Sequence, residues 1–236
     1  PSMPSQGCGY TVLAMGKQGA FELNYSSDVD LIVLYDPDTA PLAPGVEPST
    51  FFVRFTKRLV SLLQDVTEHG YAFRVDLRLR PDPRATQVAI SIEAAAIYYE
   101  SMGQNWERAA MIKAHPVAGN EAVGAAFLAD MTPYIWRKHL DFAAIHDIHS
   151  IKRQIDAHRG GGTVKVIGHN VKLGRGGIRE IEFFAQTQQL IAGGRLPQLR
   201  KLRTVDALAA LEAEGWIDAT ARDELTQAYW YLRDVE

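Results

Sequence analysis

Cysteine is nearly absent. Cys8 is the single one among 236 residues, so no intramolecular disulfide can form and nothing points to a secreted, stapled framework. Long apolar runs are missing as well: none approaches the roughly 20 residues a membrane span needs, and no signal peptide precedes the first predicted strand. An excess of positive charge is also lacking. Net charge is −3 and the pI near 6.2, which counts against general nucleic-acid binding, because that relies on a broad cationic surface. No internal repeat and no low-complexity tract is found. What remains is an ordinary globular balance, 47% hydrophobic and 22% charged, with length for one large or two small domains. The expectation is a soluble, cytoplasmic protein with neither membrane nor nucleic acid as partner.

The chemistry is concentrated at Ser27-Asp28-Val29-Asp30-Leu31, where two carboxylates open an apolar run that continues to Tyr35 and closes at Asp36-Pro37. The run is short and rich in branched residues, so it reads as a buried strand. Asp28 and Asp30 then share one face, roughly 7 Å apart along the backbone. Converging carboxylates repel unless a cation lies between them, and Mg²⁺ takes oxygen ligands while sharing substrate phosphates. A lone Asp-x-Asp is equally at home at the solvated start of a strand. Upstream, a strand over residues 10–15 runs into Gly16-Lys17-Gln18-Gly19 and a polar turn. Glycines let backbone N–H groups approach a phosphate, although an ordinary turn has the same composition. Joined to the carboxylates a dozen residues on, the pattern matches DNA polymerase β-like nucleotidyltransferases.

Downstream, residues 71–81 alternate: Phe73, Val75, Leu77 and Leu79 on one face, Arg74, Asp76, Arg78 and Arg80 on the other. A half-buried strand near 72–79 is predicted. Asp76 then becomes the third carboxylate of a two-metal site, with the arginines available for phosphates; alternatively it only neutralises its neighbours. A helix is predicted near 49–68 from Phe52, Phe55, Leu59, Leu62, Leu63 and Val66, with Gly70 just beyond, after a proline-rich loop over 39–48. Another is predicted near 91–101. After Asn120 the pattern is helical, near 121–131, 144–158, 178–192, 205–214 and 219–236, and the last has no stop signal, so the chain reads as a fragment cut inside a helix. Residues 1–119 are expected to form the α/β catalytic domain and 120–236 a helical domain. His146, His149, His158 and His169 lack helical zinc spacing and accompanying cysteines. Gly174-Arg175-Gly176-Gly177, opening the helix at Ile178, is either an anion site or a packing turn.

Four motifs in order resemble glutamine synthetase adenylyltransferase over essentially the whole chain: Gly16 to Leu31, Val75 to Pro81, Gly103 to Ala110, and Lys172 to Phe183. The family's two similar halves attach AMP to a tyrosine of glutamine synthetase and remove it. Asn24-Tyr25-Ser26-Ser27 and Gly103–Ala110 are more similar to the N-terminal, adenylyl-removing half. The resemblance implies an α+β fold: a DNA polymerase β-like nucleotidyltransferase domain with a mixed sheet, followed by an all-helical domain. It implies Mg²⁺, or Mn²⁺ in its place, on Asp28, Asp30 and Asp76, and phosphate or nucleotide at Gly16, Lys17, Ser27, Arg78 and Arg80. Trp106, Glu107 and Arg108 are expected to line the site, although a helical tryptophan is more often a core residue and Glu107–Arg108 could be surface charge. The implied reaction is phosphorolysis: phosphate attacks the tyrosine-linked AMP and gives ADP. Implied partners are glutamine synthetase as protein substrate, ADP or ATP, inorganic phosphate, and a nitrogen-signalling regulatory protein. Gln18 and Ala20 depart from the family pattern, as does His115, where arginine is usual; His is largely uncharged at neutral pH. Three other readings stay open. One is a nucleotidyltransferase of another substrate class, such as a uridylyltransferase or an RNA-end transferase, disfavoured by the acidic pI and the motif after Gly103. The others are the adenylylating half and a non-catalytic nucleotide-binding module.

Overall fold

The computed structural model describes Ser5 and residues 7–138 and 168–236. The predicted helix near 144–158, with His146, His149 and His158, lies outside the described residues. The chain divides into two compact units, one up to Tyr134 and one from Ile135.

In the first unit, strands β1 (Tyr10–Ala14) and β2 (Val29–Tyr35) form an antiparallel pair, Tyr10 opposite Tyr35 and Ala14 opposite Leu31. Both are near-continuous apolar runs, as strands covered on two faces must be. Strand β5 (His115–Gly119) joins the far edge of β1, with a register shift between Val12 and Leu13. The other edge of β2 is shared by two very short parallel partners: β3 (Val75–Asp76) beside Val29 and Asp30, and β4 (Ile90–Ser91) beside Leu34 and Tyr35. The sheet is therefore mixed, in the order β3-β2-β1-β5 with β4 alongside β2.

Helix α2 (Pro48–Gln64) is the crossover from β2 to β3. Its start is set by Pro48 and by Glu47, whose carboxylate accepts the N–H groups of Ser49 and Thr50. Phe52 stacks on Tyr35 at 4.9 Å and Tyr10 at 5.6 Å, and Thr56 shares a hydrogen bond with the Tyr10 hydroxyl. These anchor α2 over Val12, Ala14, Leu31 and Val33, the face opposite to Asp30. Burying a phenylalanine here contributes about 2–3 kcal/mol. The predicted stripe is only partly used: Leu62 and Val66 are exposed, and the helix ends four residues early, where Asp65 turns extended.

The predicted strand over 72–79 contracts to two residues, for two local reasons. The Leu63 carbonyl at the end of α2 accepts the N–H groups of Ala72 and Phe73, so neither pairs with β2. At the other end the Asp76 carboxylate accepts the N–H of Arg78, a side-chain turn that competes with the ladder. Phe73, expected on the buried face, is exposed.

Helices α3 (Ile92–Ser101) and α5 (Glu121–Asp130) fall where their periodicity predicts, the first capped by Ser91 and the second by Asn120. A Cβ on Gly124 of α5 would come within 2.6 Å of the Thr11 hydroxyl, so only glycine allows this close seat on β1. One-turn helix α1 (Gly16–Gly19) follows β1, helix α4 (Asn105–Met111) precedes β5, and a short α6 (Thr132–Ile135) lies at the boundary between units.

In the second unit the described regular elements are the helices α7 (Ile178–Ala192), α8 (Thr204–Ala213) and α9 (Ala219–Val235), with a 3₁₀ turn at Pro197–Leu199 between the first two. Ile178, Ile181, Ala185, Leu208 and Tyr229 form their common core. The turn at 174–177 packs tightly: a Cβ on Gly177 would meet the Val171 carbonyl at 2.6 Å, and the Gly176 N–H is taken by the Glu180 carboxylate. That is the packing-turn alternative. No described helix is long and apolar enough to cross a membrane.

Candidate active site

Backbone register brings the carboxylates together. Asp30 in β2 lies directly beside Asp76 in β3, on strands roughly 4.8 Å apart. Asp28 lies two residues before Asp30, just outside β2, and the Val29 N–H bonded to the Arg74 carbonyl fixes the pairing of β2 with β3. Above them, the Met15 N–H reaches the Asp30 carbonyl, so the turn after β1 folds back onto β2. Gly16 has φ +53, and a Cβ there would sit 2.9 Å from Asp30 Oδ2. Glycine is required twice over, by conformation and by the carboxylate's closeness.

Two carboxylates are already engaged by arginine. Arg74 Nε lies 2.5 Å from Asp28 Oδ1, while its other nitrogens donate to the Tyr71 hydroxyl and the Ser26 carbonyl. Arg78 grips Asp76 in a fork, Nε to both oxygens at 2.9–3.0 Å and Nη2 to Oδ2 at 2.5 Å. The Arg78 guanidinium thereby holds the Asp76 carboxyl below the usual carboxylate range, burial opposing it. Arg80 instead donates to the carbonyls of Leu77, Pro83 and Thr86, bracing the loop after β3. Lys17 lies in the one-turn helix directly after Gly16. Ser27 closes the turn by donating to the Asn24 side chain, and Tyr25 between them is fully exposed.

The segment Trp106–Arg108 is divided in its duties. Glu107 is buried and caps its own helix by accepting the Gln104 N–H at 2.7 Å, with Tyr98 hydroxyl at 3.3 Å. Burial pushes its carboxyl pKa up. Arg108, also buried, donates to the Tyr134 carbonyl and to Asn105. Trp106 is partly exposed. A surface groove of about 350 Å³ beside α2, lined by Ser49, Thr50, Arg54 and Lys57, contains none of the site carboxylates.

Among the described residues no three His, Cys, Asp or Glu side chains converge as a ready metal cluster. The fit to a hard cation rests on the in-register pair Asp30 and Asp76 and on oxygen donors alone, and Mg²⁺ is ordinarily held by one or two carboxylates plus substrate phosphates. Sequence reasoning placed Arg74 among the arginines available for phosphates and missed its pairing with Asp28. Its partner Asp28 lies 46 residues away, a pairing that no local spacing announces.

The family model for glutamate-ammonia ligase adenylyltransferase matches residues 2–130, and one for GlnD PII-uridylyltransferase matches residues 149–236. Curated relatives named bifunctional glutamine synthetase adenylyltransferase/adenylyl-removing enzyme occur in Mesorhizobium japonicum, 64% identical over 99% of the chain, and Brucella suis, 63% identical over 100%. Another is found in Agrobacterium fabrum, 62% identical over 99%. The chain spans 24% of the length of each of these relatives. With the first family model matching more than half of its residues, the chain belongs to the glutamate-ammonia ligase adenylyltransferase family.

Proposed function

We propose that this chain carries the adenylyl-removing activity of its family: Mg²⁺-dependent phosphorolysis of AMP-tyrosine on glutamine synthetase, giving ADP and free tyrosine. The observation that carries the reading is the in-register pair Asp30 and Asp76 beneath the Gly16 turn, flanked by arginines. The first unit, up to Tyr134, would be a DNA polymerase β-like nucleotidyltransferase domain, and the chain beyond it a helical domain.

An oxygen of inorganic phosphate attacks the AMP phosphorus, and the bond from phosphorus to the tyrosine oxygen breaks. The tyrosine leaves as a phenolate, a tolerable leaving group because the phenol's pKa is near 10, and takes up a proton from water. A bound Mg²⁺, with Mn²⁺ as a substitute, would offset the negative charge that develops at phosphorus and at the departing oxygen. Asp30 and Asp76 would hold it, and Asp28 would join when released from Arg74. Gly16 and Lys17 would present N–H and ammonium donors to phosphate oxygens, with Ser27 shaping the turn. Arg78, exposed at its tip, can leave one Asp76 oxygen and fork onto phosphate. Arg80 would act through the loop it braces. Trp106, Glu107 and Arg108 would support the wall. No protein general base is needed, because phosphate is anionic at neutral pH.

The likeness of residues 149–236 to the PII-uridylyltransferase family supports a nitrogen-signalling regulatory protein as a further partner. A cytoplasmic location follows from that role. Release of label from AMP-modified glutamine synthetase, with and without phosphate, tests the reading. Phosphate-dependent release as ADP supports it. ATP-dependent transfer to unmodified synthetase would assign the adenylylating role instead, and neither reaction would leave a binding module.

A further inference from the structure

We propose that Lys113 is a positioning residue for this site, clamping the Gly16–Glu22 turn through its main chain and its side chain together. The inference rests on the proposed reaction. Lys113 lies just before β5, on the far side of β1 from the carboxylates. Its ammonium is 3.1 Å from Glu22 Oε2, and both side chains are almost wholly buried, 6% and 4% exposed. Its carbonyl lies against Gly19, where a Cβ would come within 1.8 Å. One residue thus holds the turn at two points three residues apart.

Between those points sits Phe21, a non-glycine residue at φ +58, with a ring 60% exposed that meets His115 edge-on at 4.8 Å. Little burial rewards that conformation, and strained backbone persists only where its surroundings over-determine it. The Glu22 N–H on the Lys17 carbonyl and the Ala20 N–H on the Gly16 carbonyl close the turn internally. The two anchors on Lys113 fix where it sits on the sheet. What they fix is the distance between Gly16 and Asp30 and the position of Lys17, the proposed phosphate donors. A buried ion pair is a weak device for stability alone, since a well-packed apolar pair commonly replaces it without loss. Its use is directional: it allows one placement of the turn.

The test compares the full chain with Lys113→Met, Glu22→Gln, Lys113→Arg and the double variant Glu22→Met with Lys113→Met. Melting temperature, the KM for phosphate, kcat for AMP release, and amide exchange at residues 17–22 are read on each. The double variant should keep its melting temperature within about 2 °C. Its kcat/KM for phosphate should fall roughly tenfold to a hundredfold, as for a small misplacement of binding groups, with faster exchange in the turn. Lys113→Arg, keeping the charge pair, should recover part of that loss. A double variant within about twofold of wild type overturns the proposal, as does a fall of activity and melting temperature in parallel across all variants. Wild-type chain that releases no AMP would defeat the functional reading instead, and amide exchange alone would then decide the clamp.

Discussion

Replacing Gly16 with alanine separates backbone strain from damage to the site. At φ +53 an alanine costs about 1–2 kcal/mol in the left-handed region. For a chain of this size each kcal/mol lowers the melting temperature by about 2–4 °C, so a fall of about 2–8 °C is expected. The second effect is local. The new Cβ would lie 2.9 Å from Asp30 Oδ2, well inside the ~3.5 Å of ordinary nonbonded contact, so the carboxylate must shift by about half an ångström. A displacement on that scale in a catalytic group costs roughly tenfold to a hundredfold in kcat/KM, or about 1.4–2.7 kcal/mol of transition-state stabilisation. Gly45→Ala is the matched control: Gly45 has φ +84 and nothing within 4 Å of its would-be Cβ. It should show the same loss of melting temperature with unchanged phosphate-dependent release of AMP. The reasoning fails if Gly16→Ala, fully folded at the assay temperature, keeps wild-type turnover, or if both variants lose activity alike.

Asp30→Asn should abolish AMP release in a folded protein, because it removes one of the two in-register carboxylates; near-normal turnover with Mg²⁺ would remove Asp30 from the metal site. Asp76→Asn should cut kcat, whereas Arg78→Ala should chiefly raise the phosphate concentration required; an active but less stable Asp76→Asn protein would reduce Asp76 to a partner of Arg78. Glu107 tests the pH dependence. Burial raises its folded pKa, so its contribution to stability is complete below the unfolded value near 4.3 and is lost as pH rises through the folded one. Glu107→Gln keeps an acceptor for the Gln104 N–H, so its melting temperature relative to wild type should improve from pH 4.5 to pH 8. A difference that is flat or runs the other way refutes the burial argument.

Much of the site was legible because it is written in adjacent residues. The strands at 10–14 and 29–35, Asp30 near the head of the second, and the glycines before them follow from short-range pattern. Helices α3, α5, α7, α8 and α9 are legible for the same reason, each having a cap or periodic face of its own. What misled was alternation at residues 72–79. It is a statement about side chains, and the outcome was decided by backbone hydrogen bonds to Leu63 and by the Asp76 turn, neither of which alternation encodes. Strands β4 and β5 went unread because one has two residues and the other contains Pro116 and Gly119, which depress β propensity. The pairs Arg74–Asp28 and Lys113–Glu22, 46 and 91 residues apart, leave no local trace.

The brevity of β3 has a mechanical consequence. Two residues are enough to set register, and register is what places Asp76 beside Asp30. Because the register is fixed by main-chain bonds, the pair needs no contact between its carboxylates to stay close, and Arg78 already offsets the charge of Asp76. Ending the strand at Asp76 lets Arg78 fold back on a turn and grip that carboxylate, while Arg80 is held by three carbonyls. The same economy makes the site depend on α2. Ala72 and Phe73 hang from the Leu63 carbonyl, three residues before the carboxylate at the nearer one, so the last turn of α2 sets the height at which β3 meets β2. A change that frays that turn should move Asp76 without touching a charged residue, whereas changes in the exposed loop before α2 should not.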